Sequence, residues 1–408
     1  MKTIKMIAAA VLGLAMNTGG ALEIDPNVIP EISLGGRMLA TVDWMRMTDP
    51  AGEVERASAL NVSDSSLVLG FSKYLFSDSN YGYAMLGFKT SEDGNDLKDD
   101  IYFHEMSVGI GGPRYEVQLG RTRLPNTLLS FPTVRDDDLL AFTVVGNGGS
   151  NTHAVEYQQF GGQAAARWWL TPRVSGAVAV TARTQTDLSG TPLSGEDFNG
   201  ASAMLSYDFP EAMQVRGGFR FIGLTLDYQD LEALGTSPKE KLATTLGAFS
   251  YNLGSNPEAE WLLDVQGIVT RGVEVSGLAE PYQRARAKSQ AVVAALRYAH
   301  RPNLQTRWQA ALTVAWKNYP DFSDARSVAL VPNFVWRAGS GVDVLAQYRY
   351  VYNGDGLAQA TAEQREQQVL VGLNFNFATT FNESVGDRSD ILNFGHNMLD
   401  IGPVSGGH

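Results

Sequence analysis

The chain has 408 residues, no cysteine and a formal net charge of -12. The absence of cysteine excludes disulfides, c-type haem attachment, iron–sulfur clusters and cysteine-based zinc sites, and the negative charge disfavours nucleic-acid binding. The 42 glycines and the aromatic share of 10% are typical of a β-protein with many turns and with aromatic rings at a membrane boundary.

The N-terminus has the layout of a secretory signal peptide. Lys2 and Lys5 form a basic region, residues 6–16 form an apolar run, and small residues precede a cleavage point after Ala21. We therefore expect residues 1–21 to be removed on export. The rest of the chain contains no apolar run near the ~20 residues that a spanning helix needs.

The first strand of the exported chain alternates apolar and polar residues. Met38, Val42 and Trp44 fall on one face, and Arg37 and Asp43 fall on the other. An apolar face next to a polar one, at a period of two residues, is the pattern of a strand with lipid on one side and water on the other.

The same period recurs along the chain. The clearest case is residues 304–319, where Trp308, Leu312 and Trp316 oppose Thr313 and Lys317. The remaining apolar faces are predicted at Phe219 and Phe221, at Trp261 to Val269, at Val342 to Tyr352 and at Val369 to Phe377. These segments are often longer than the roughly 5–6 residues of strands in soluble proteins.

The connections between the predicted strands alternate between short and long. The short ones carry Gly, Pro, Asn and Asp, the residues of tight turns. The long ones are predicted at 48–60, 91–100, 122–150, 185–197, 225–240, 273–285, 319–327 and 354–366. This alternation predicts an all-β, closed antiparallel transmembrane barrel of about sixteen strands over residues 22–381, with a periplasmic tail at 382–408.

Charged residues on the polar faces are expected to line the lumen, because a charge on the lipid face costs ~2–4 kcal/mol near the midplane. The candidates are Arg37, Asp43, Arg216, Arg220, Asp264, Arg307, Lys317, Arg337, Asp343 and Arg349. Pro332 falls in the middle of a predicted strand, where it lacks a donor for the ladder.

Several segments resemble the early strands of the general porins of Gram-negative bacteria. They are Ser66 to Phe71, Gly87 to Asp93, Tyr102 to Gly112, Val117 to Arg121 and, after the long loop, His153 to Tyr157. The detailed resemblance covers residues 31–160.

This resemblance implies a homotrimer whose long loop after the fifth strand, residues 122–150, folds into the lumen. It implies constriction acids at Asp136, Asp137 and Asp138, facing wall arginines at Arg37 and Arg121. Arg123 and Arg135 lie near these acids in the sequence.

Two departures from the family pattern leave a distant porin or a specialised channel open. Where the family has a Pro-Glu-Phe-Gly-Gly stretch in the long loop, this chain reads LLSFPTV over residues 128–134. The family ends on an aromatic residue of the last strand, whereas this chain continues for residues 382–408. The acids 136–138 can equally form a solvated loop tip, and calcium binding would require spaced ligands and a glycine turn.

The functional hypothesis is a porin of the cell outer membrane, a passive channel for small hydrophilic solutes and ions with weak cation preference. No cofactor, no metal and no catalytic residue is implied, since none of the five histidines has a metalloprotease or serine-hydrolase context. His153, close to Glu156, is the single candidate base. The alternatives are a substrate-selective channel, and a structural barrel that binds a partner; lipid and lipopolysaccharide would surround the wall in each case.

Overall fold

Long strands with alternating exposure make up nearly all of the regular structure. In the computed structural model, the described residues are 31–62, 65–75, 80–92, 99–123, 128–129, 131–134, 160–182, 200–210, 217–230, 241–256, 258–272, 288–300, 307–320, 323–339, 341–361 and 363–381. The predicted signal peptide and the predicted tail lie outside these residues.

Seventeen strands and one short helix are formed by the described residues. The first nine strands are β1 (Glu31–Thr48), β2 (Val54–Asn61), β3 (Ser66–Leu75), β4 (Asn80–Glu92), β5 (Asp99–Gly112), β6 (Tyr115–Arg123), β7 (Phe160–Thr171), β8 (Val174–Ala182) and β9 (Gly200–Asp208). The others are β10 (Gly218–Asp230), β11 (Lys241–Asn256), β12 (Ala259–Gly272), β13 (Lys288–His300), β14 (Arg307–Asn318), β15 (Arg326–Gly339), β16 (Val342–Asn353) and β17 (Arg365–Phe381), with helix α1 (Asp355–Thr361) before the last.

The strands close into a barrel through antiparallel pairing of chain neighbours. β1 pairs with β17 from Ile32 to Thr48, which joins the two ends of the sheet. On its other edge β1 pairs with β2 over Thr41–Thr48 and with β3 over Glu31–Arg37, so β2 and β3 share one place in the wall. The seventeen strands therefore make sixteen spans, which confirms the predicted number, and the long loop follows the fifth span, β6.

The two faces of the wall differ as the sequence period predicts. On β14, Leu312 and Val314 face outwards with 41% and 39% exposure, whereas Thr313, Ala315 and Lys317 face inwards and are buried. The predicted faces of β1, β12, β16 and β17 are confirmed in the same way. The outer surface is thus apolar, and the inner surface carries most of the buried polar groups.

Aromatic side chains form a row on the outer face near the short turns. The ring centroids of Trp261 and Tyr298 are 4.6 Å apart, those of Tyr298 and Trp308 are 5.1 Å apart, and those of Trp308 and Phe334 are 5.8 Å apart. Trp44 and Trp316 lie on the outer face towards the long loops. Rings at both ends of an aliphatic band are the arrangement of a wall that crosses a bilayer.

Two expectations from the sequence are wrong in detail. Phe221 was expected outside, but a register shift between Phe219 and Phe221 turns it inwards, opposite Ser250. A β-bulge adds one residue and inverts the phase beyond it. Residues 48–60 were expected to be a loop, whereas 54–61 continue the wall as β2.

Pro332 lies within β15, where it pairs with Leu312 of β14. On the β16 side the register runs from Leu330–Tyr350 to Asn333–Gln347 and omits the positions between them. The missing backbone N–H of Pro332 is therefore on the side of β16, where the ladder is interrupted. No helix among the described residues is long and apolar enough to cross a membrane.

The outer face can be tested by placing a charge at Leu312. Leu312→Arg should lower the free energy of unfolding from lipid vesicles by about 2–4 kcal/mol, because arginine near the midplane must leave water. Urea titration monitored by tryptophan fluorescence measures the loss. Ser323→Arg, at an exposed turn between β14 and β15, is the control, and an equal loss in both variants would contradict the membrane-facing assignment.

Candidate functional site: the inner wall and the inner segment

Charged side chains on the inner wall are joined in pairs between strands that are adjacent or separated by one strand. Arg349 of β16 donates to Glu366 of β17 at 2.7 Å, and both side chains are almost completely buried. Arg220 of β10 lies 3.3 Å from Glu260 of β12, and Arg297 of β13 contacts Asp264 of β12. Removing one member of a buried pair typically costs about 3–5 kcal/mol, because the other charge is left uncompensated.

Asp343 of β16 is the centre of an extended polar group on the inner wall. It accepts hydrogen bonds from Arg337 Nε at 3.0 Å, from Asn374 Nδ2 at 3.4 Å and from Asn376 Nδ2 at 3.1 Å. Arg307 is directly opposite Arg337 in the β14–β15 register. These inward positions on β14 to β17 form one continuous polar row across four strands.

Part of the long loop after β6 lies against this wall. We call residues 128–129 and 131–134 the inner segment. The carbonyl of Pro132 accepts hydrogen bonds from Asn333 Nδ2 at 2.6 Å and from the Thr313 hydroxyl at 3.3 Å. The backbone N–H of Val134 donates to the side-chain oxygen of Gln347 at 2.8 Å, and its carbonyl accepts from Arg37 at 3.1 Å. Side chains of four different strands thus satisfy the backbone of this segment.

Apolar contacts hold the inner segment as well. Phe131 is buried in a cluster that includes Tyr319, Val331 and Val351, and Val134 in one that includes Leu39, Val335, Leu345 and Leu370. At the other end, Leu128 and Phe221 both pack against the buried cluster that includes Leu246 and Ile268. A Cβ at Gly223 would be 2.9 Å from Leu128 Cδ2, so the approach of this leucine to β10 needs a glycine.

The span of these contacts indicates the path of the inner segment. Residues 128–134 can extend about 20 Å at most. The strands that they contact at the two ends, β10 and β16, are six strand spacings apart, about 29 Å along the wall. The side chains at its two ends cover the remaining distance. The inner segment therefore takes a shorter path between β10 and β16 than the path along the wall.

Five predicted lumen residues face inwards and are at least partly buried: Arg37, Asp43, Arg220, Arg307 and Arg349. Asp264, Lys317 and Asp343 do the same at 0% exposure. The predicted residues Arg135, Asp136, Asp137, Asp138 and Arg216 lie outside the described residues, as does the side chain of Arg123.

Arg121 is a correction, because its side chain is exposed on the outer face. It pairs with Met106 of β5, which is 56% exposed, and follows Leu119, which is 48% exposed. The family resemblance implied a wall arginine at this position. The alternation of Val117, Leu119 and Arg121 already indicates the outer face, since these residues are two apart.

The sequence reading missed a group of tyrosines on the inner face of β4. Tyr81 and Tyr83 are buried with Val68 and Met85, and the Tyr83 hydroxyl bonds to Glu116 of β6. A Cβ at Gly109 would be 2.5 Å from the Tyr83 ring, so this ring lies directly over the glycine. Alternate tyrosines opposite alternate glycines in the next strand are the signal that could have revealed the group.

Glu363 lies between α1 and β17, outside the spanning strands. Burial and the nearby negative charge of Glu366 raise the pKa of its carboxyl above the ordinary value, although Arg349 acts in the opposite direction and Glu55 adds to the rise. A carboxyl with a raised pKa in the folded state destabilises the fold when it is ionised. No group of three His, Asp or Glu residues suitable for a metal ion occurs in the described part of the chain.

The position of the inner segment can be tested by cross-linking, since the chain has no cysteine of its own. In a Val134→Cys, Gln347→Cys variant, a short bifunctional thiol reagent should join the two positions, because Val134 N and the Gln347 side chain are 2.8 Å apart. The product is detected by peptide mass spectrometry. Val134→Cys combined with Ser202→Cys, on the inner face of β9, is the control; equal yields from both variants would show that the segment is not held at β16.

Glu363→Gln should raise the thermal stability of the barrel at neutral pH. The substitution removes the free-energy cost of ionising this carboxyl in the folded protein. The gain in stability should disappear at a pH below the ordinary glutamate pKa, because Glu363 is then protonated in both the folded and the unfolded state. Glu53→Gln, in an exposed turn, is the control. A gain that persists at low pH would show that packing rather than ionisation is responsible.

Solved structures of known proteins resemble this chain. No family model and no curated protein sequence matches it. The outer membrane channel DcaP of Acinetobacter baumannii is similar in structure, with a TM-score of 0.56 at 10% identity, over 88% of this chain and 100% of that one.

Two further solved porins have similar structures. OmpF of Salmonella typhi, in complex with daunomycin, gives a TM-score of 0.54 at 12% identity over 85% of this chain and 97% of that one. The anion-selective porin of Comamonas acidovorans gives a TM-score of 0.53 at 14% identity over 86% of this chain and 100% of that one. The chain therefore has the fold of the Gram-negative outer-membrane porins.

Proposed function

We propose that this protein is a channel of the bacterial outer membrane through which small hydrophilic solutes and ions diffuse passively. One observation carries the proposal: a closed wall of sixteen spans with exposed apolar side chains outside and polar side chains inside. Such a wall is stable with hydrocarbon around it and water within it. The same wall supports a function in transport rather than in catalysis.

The inner segment is proposed to narrow the aqueous path. Its backbone is tied to β1, β14, β15 and β16 by side chains, and it takes a shorter path than the wall between its ends. A segment fixed on one side of a lumen leaves the passage on the other side. The size limit for solutes would then depend on the distance from Phe131 and Val134 to the opposite wall.

Weak cation preference is proposed for this path. The described acids and bases of the inner wall are mostly neutralised in pairs, as in Arg349–Glu366 and Arg337–Asp343. Selectivity would therefore depend on unpaired charge elsewhere in the lumen, and Asp136, Asp137 and Asp138 are the candidates in the continuation of the long loop.

A substrate-selective channel is the second candidate. The observation that bears on it is the set of aromatic rings on the inner face, Tyr81 and Tyr83 on β4 and Phe131 in the inner segment, although each is only 6–7% exposed and would meet a solute by its edge alone. Rings on the inner side of a barrel can contact flat or apolar solutes that a purely polar lumen would exclude. Swelling rates of proteoliposomes in sugars, amino acids and aromatic acids would separate the two candidates.

The remaining features of the proposal follow from export and membrane insertion. Residues 1–21 would be removed as a signal peptide, the barrel would reside in the outer membrane as a homotrimer, and residues 382–408 would form a periplasmic tail. Lipid and lipopolysaccharide would surround the wall. No cofactor is required by a diffusion path, and the candidate base His153 lies outside the described residues.

Planar bilayers provide the direct test. The purified protein should produce discrete conductance steps with a reversal potential that indicates modest preference for cations. Asp136→Asn, Asp137→Asn, Asp138→Asn should move the reversal potential towards zero, because the fixed negative charge of the path is reduced.

The matched control is Glu53→Gln with Glu258→Gln, which removes two acids from exposed turns at opposite ends of the barrel. An unchanged reversal potential in the Asp136–Asp138 variant would show that these acids lie outside the narrow part. A correctly folded protein that never conducts would refute the channel itself.

A further inference from the structure

Three arginines face inwards on neighbouring strands, on the side of the short turns. Arg307 of β14 is directly opposite Arg337 of β15. Side chains in register on one face of an antiparallel pair have Cβ atoms about 4.5–5.5 Å apart, and like charges at this distance destabilise the sheet. Arg297 of β13 lies on the other side of β14, where it pairs with Ala311. Arg307 is therefore placed between two further positive charges.

Only two of the three arginines have an acid partner within the part of the chain that the structure describes. Arg337 donates to Asp343 at 3.0 Å, and Arg297 contacts Asp264. Both acids lie on the strands away from β14, so both partners draw their arginines away from Arg307. Arg307 is only 9% exposed, yet its side chain forms neither an ion pair nor a hydrogen bond with any described residue. One buried positive charge is thus left over.

A second unpartnered donor lies beside this charge. The amide Nε2 of Gln309 and the Nε of Arg307 are both buried, and neither has an acceptor among the described residues. The two side chains are two positions apart on the inner face of β14. Unpartnered acceptors also occur on neighbouring strands, at Asp264 Oδ1 and Asn333 Oδ1, but these side chains are already held by other hydrogen bonds. Water can satisfy a neutral amide, but it does not neutralise a buried guanidinium.

We call Arg307 and Gln309 the β14 donor pair. It lies between the inner segment and the short turns, because the inner segment bonds to Thr313, four residues further along β14. Four residues of a strand span about 13 Å. The donor pair is therefore separate from Arg37, the wall arginine that bonds to the inner segment. The next charged pair around the wall, on β10 and β12, is already neutralised.

We propose that the β14 donor pair binds the carboxylate of a small organic acid in the lumen. The guanidinium of Arg307 can donate two parallel hydrogen bonds to one carboxylate, and the amide of Gln309 can donate a third. A single carboxylate matches the single surplus charge, whereas a phosphate dianion would leave excess negative charge near Asp264 and Asp343.

This inference rests on the proposed function and deepens it, because the acid has to reach the donor pair through a water-filled lumen. The donor pair is a binding position on the short-turn side of the inner segment, so it does not set the ion preference of the narrow part. It names the class of solute that the barrel retains as it passes.

The test measures binding by the full chain in non-ionic detergent micelles, without any conductance. The probe is ¹³C-labelled butyrate, whose NMR line broadening is followed against protein concentration, and butyramide, inorganic phosphate and chloride are the comparison ligands. R307Q should bind butyrate at least about tenfold more weakly, since it loses the charge-assisted contacts. Q309L should bind it about fivefold more weakly without any change in charge, since it loses one neutral donor.

The matched control is R173Q, which removes one exposed arginine from the short turn between β7 and β8 and should leave the affinity unchanged. R307Q should fold, because it removes an unpaired buried charge, and its heat-modifiable migration on gels checks this; Q309L gives a second test that alters no charge. Butyrate affinities equal to that of the native protein in both variants would overturn the proposal.

The comparison ligands test the chemistry of the site. Binding of butyramide as tight as that of butyrate would overturn the need for an anion. Displacement of butyrate by phosphate or chloride at the same concentration would overturn the choice of a carboxylate. Because binding is measured in micelles, a protein that binds butyrate but never conducts would refute only the channel, and one that conducts but does not bind butyrate would refute only this site.

Discussion

The constraint on which the whole structure depends is that a sheet in hydrocarbon can have no free edge. Every backbone N–H and C=O in the spanning region needs a partner within the protein, since lipid offers none. The pairing of β1 with β17 from Ile32 to Thr48 meets this requirement by joining the ends of the chain's sheet. Each strand then has one face towards lipid and one towards the interior, and the period of two residues in the sequence follows from that division.

Buried polar groups inside the barrel likewise need hydrogen-bond partners within the protein. Asp343, fully buried, receives three hydrogen bonds from Arg337, Asn374 and Asn376. The described residues of the inner segment form no ladder with a strand, yet the carbonyl of Pro132 and both backbone groups of Val134 are hydrogen-bonded, because side chains of the wall take the place of a ladder. These side chains are those of Thr313, Asn333, Gln347 and Arg37. Polar residues of the wall thus act as the fixing points for a loop.

Sequence periodicity predicts which side chains face outwards where strands are regular. It fails where the pairing with a neighbouring strand changes the register. Trp308, Leu312 and Trp316 could be assigned to the outside because lipid contact demands apolar residues at every second position. Phe221 could not, because the shift after Phe219 depends on pairing with β11. Arg121 was assigned through family resemblance, against the phase of Val117 and Leu119. The hydrogen bonds of Pro132 and Val134 join residues between 97 and 213 positions apart along the chain, and no local pattern encodes them.

Like charges face each other on both surfaces of the barrel, as Arg307 faces Arg337 inside, but Arg337 has an acid partner in Asp343. Inside, bases meet acids across strands, as in Arg349 with Glu366, because a buried charge without a partner is costly. Outside, Arg46 faces Arg56 with no acid bonded to either among the described residues. Exposure to water would make such a pair tolerable on a soluble protein. On this wall the pair lies at the long-loop end of strands whose outer face continues into exposed Trp44 and Leu60, so the positive charges mark the boundary between the apolar band and the loops.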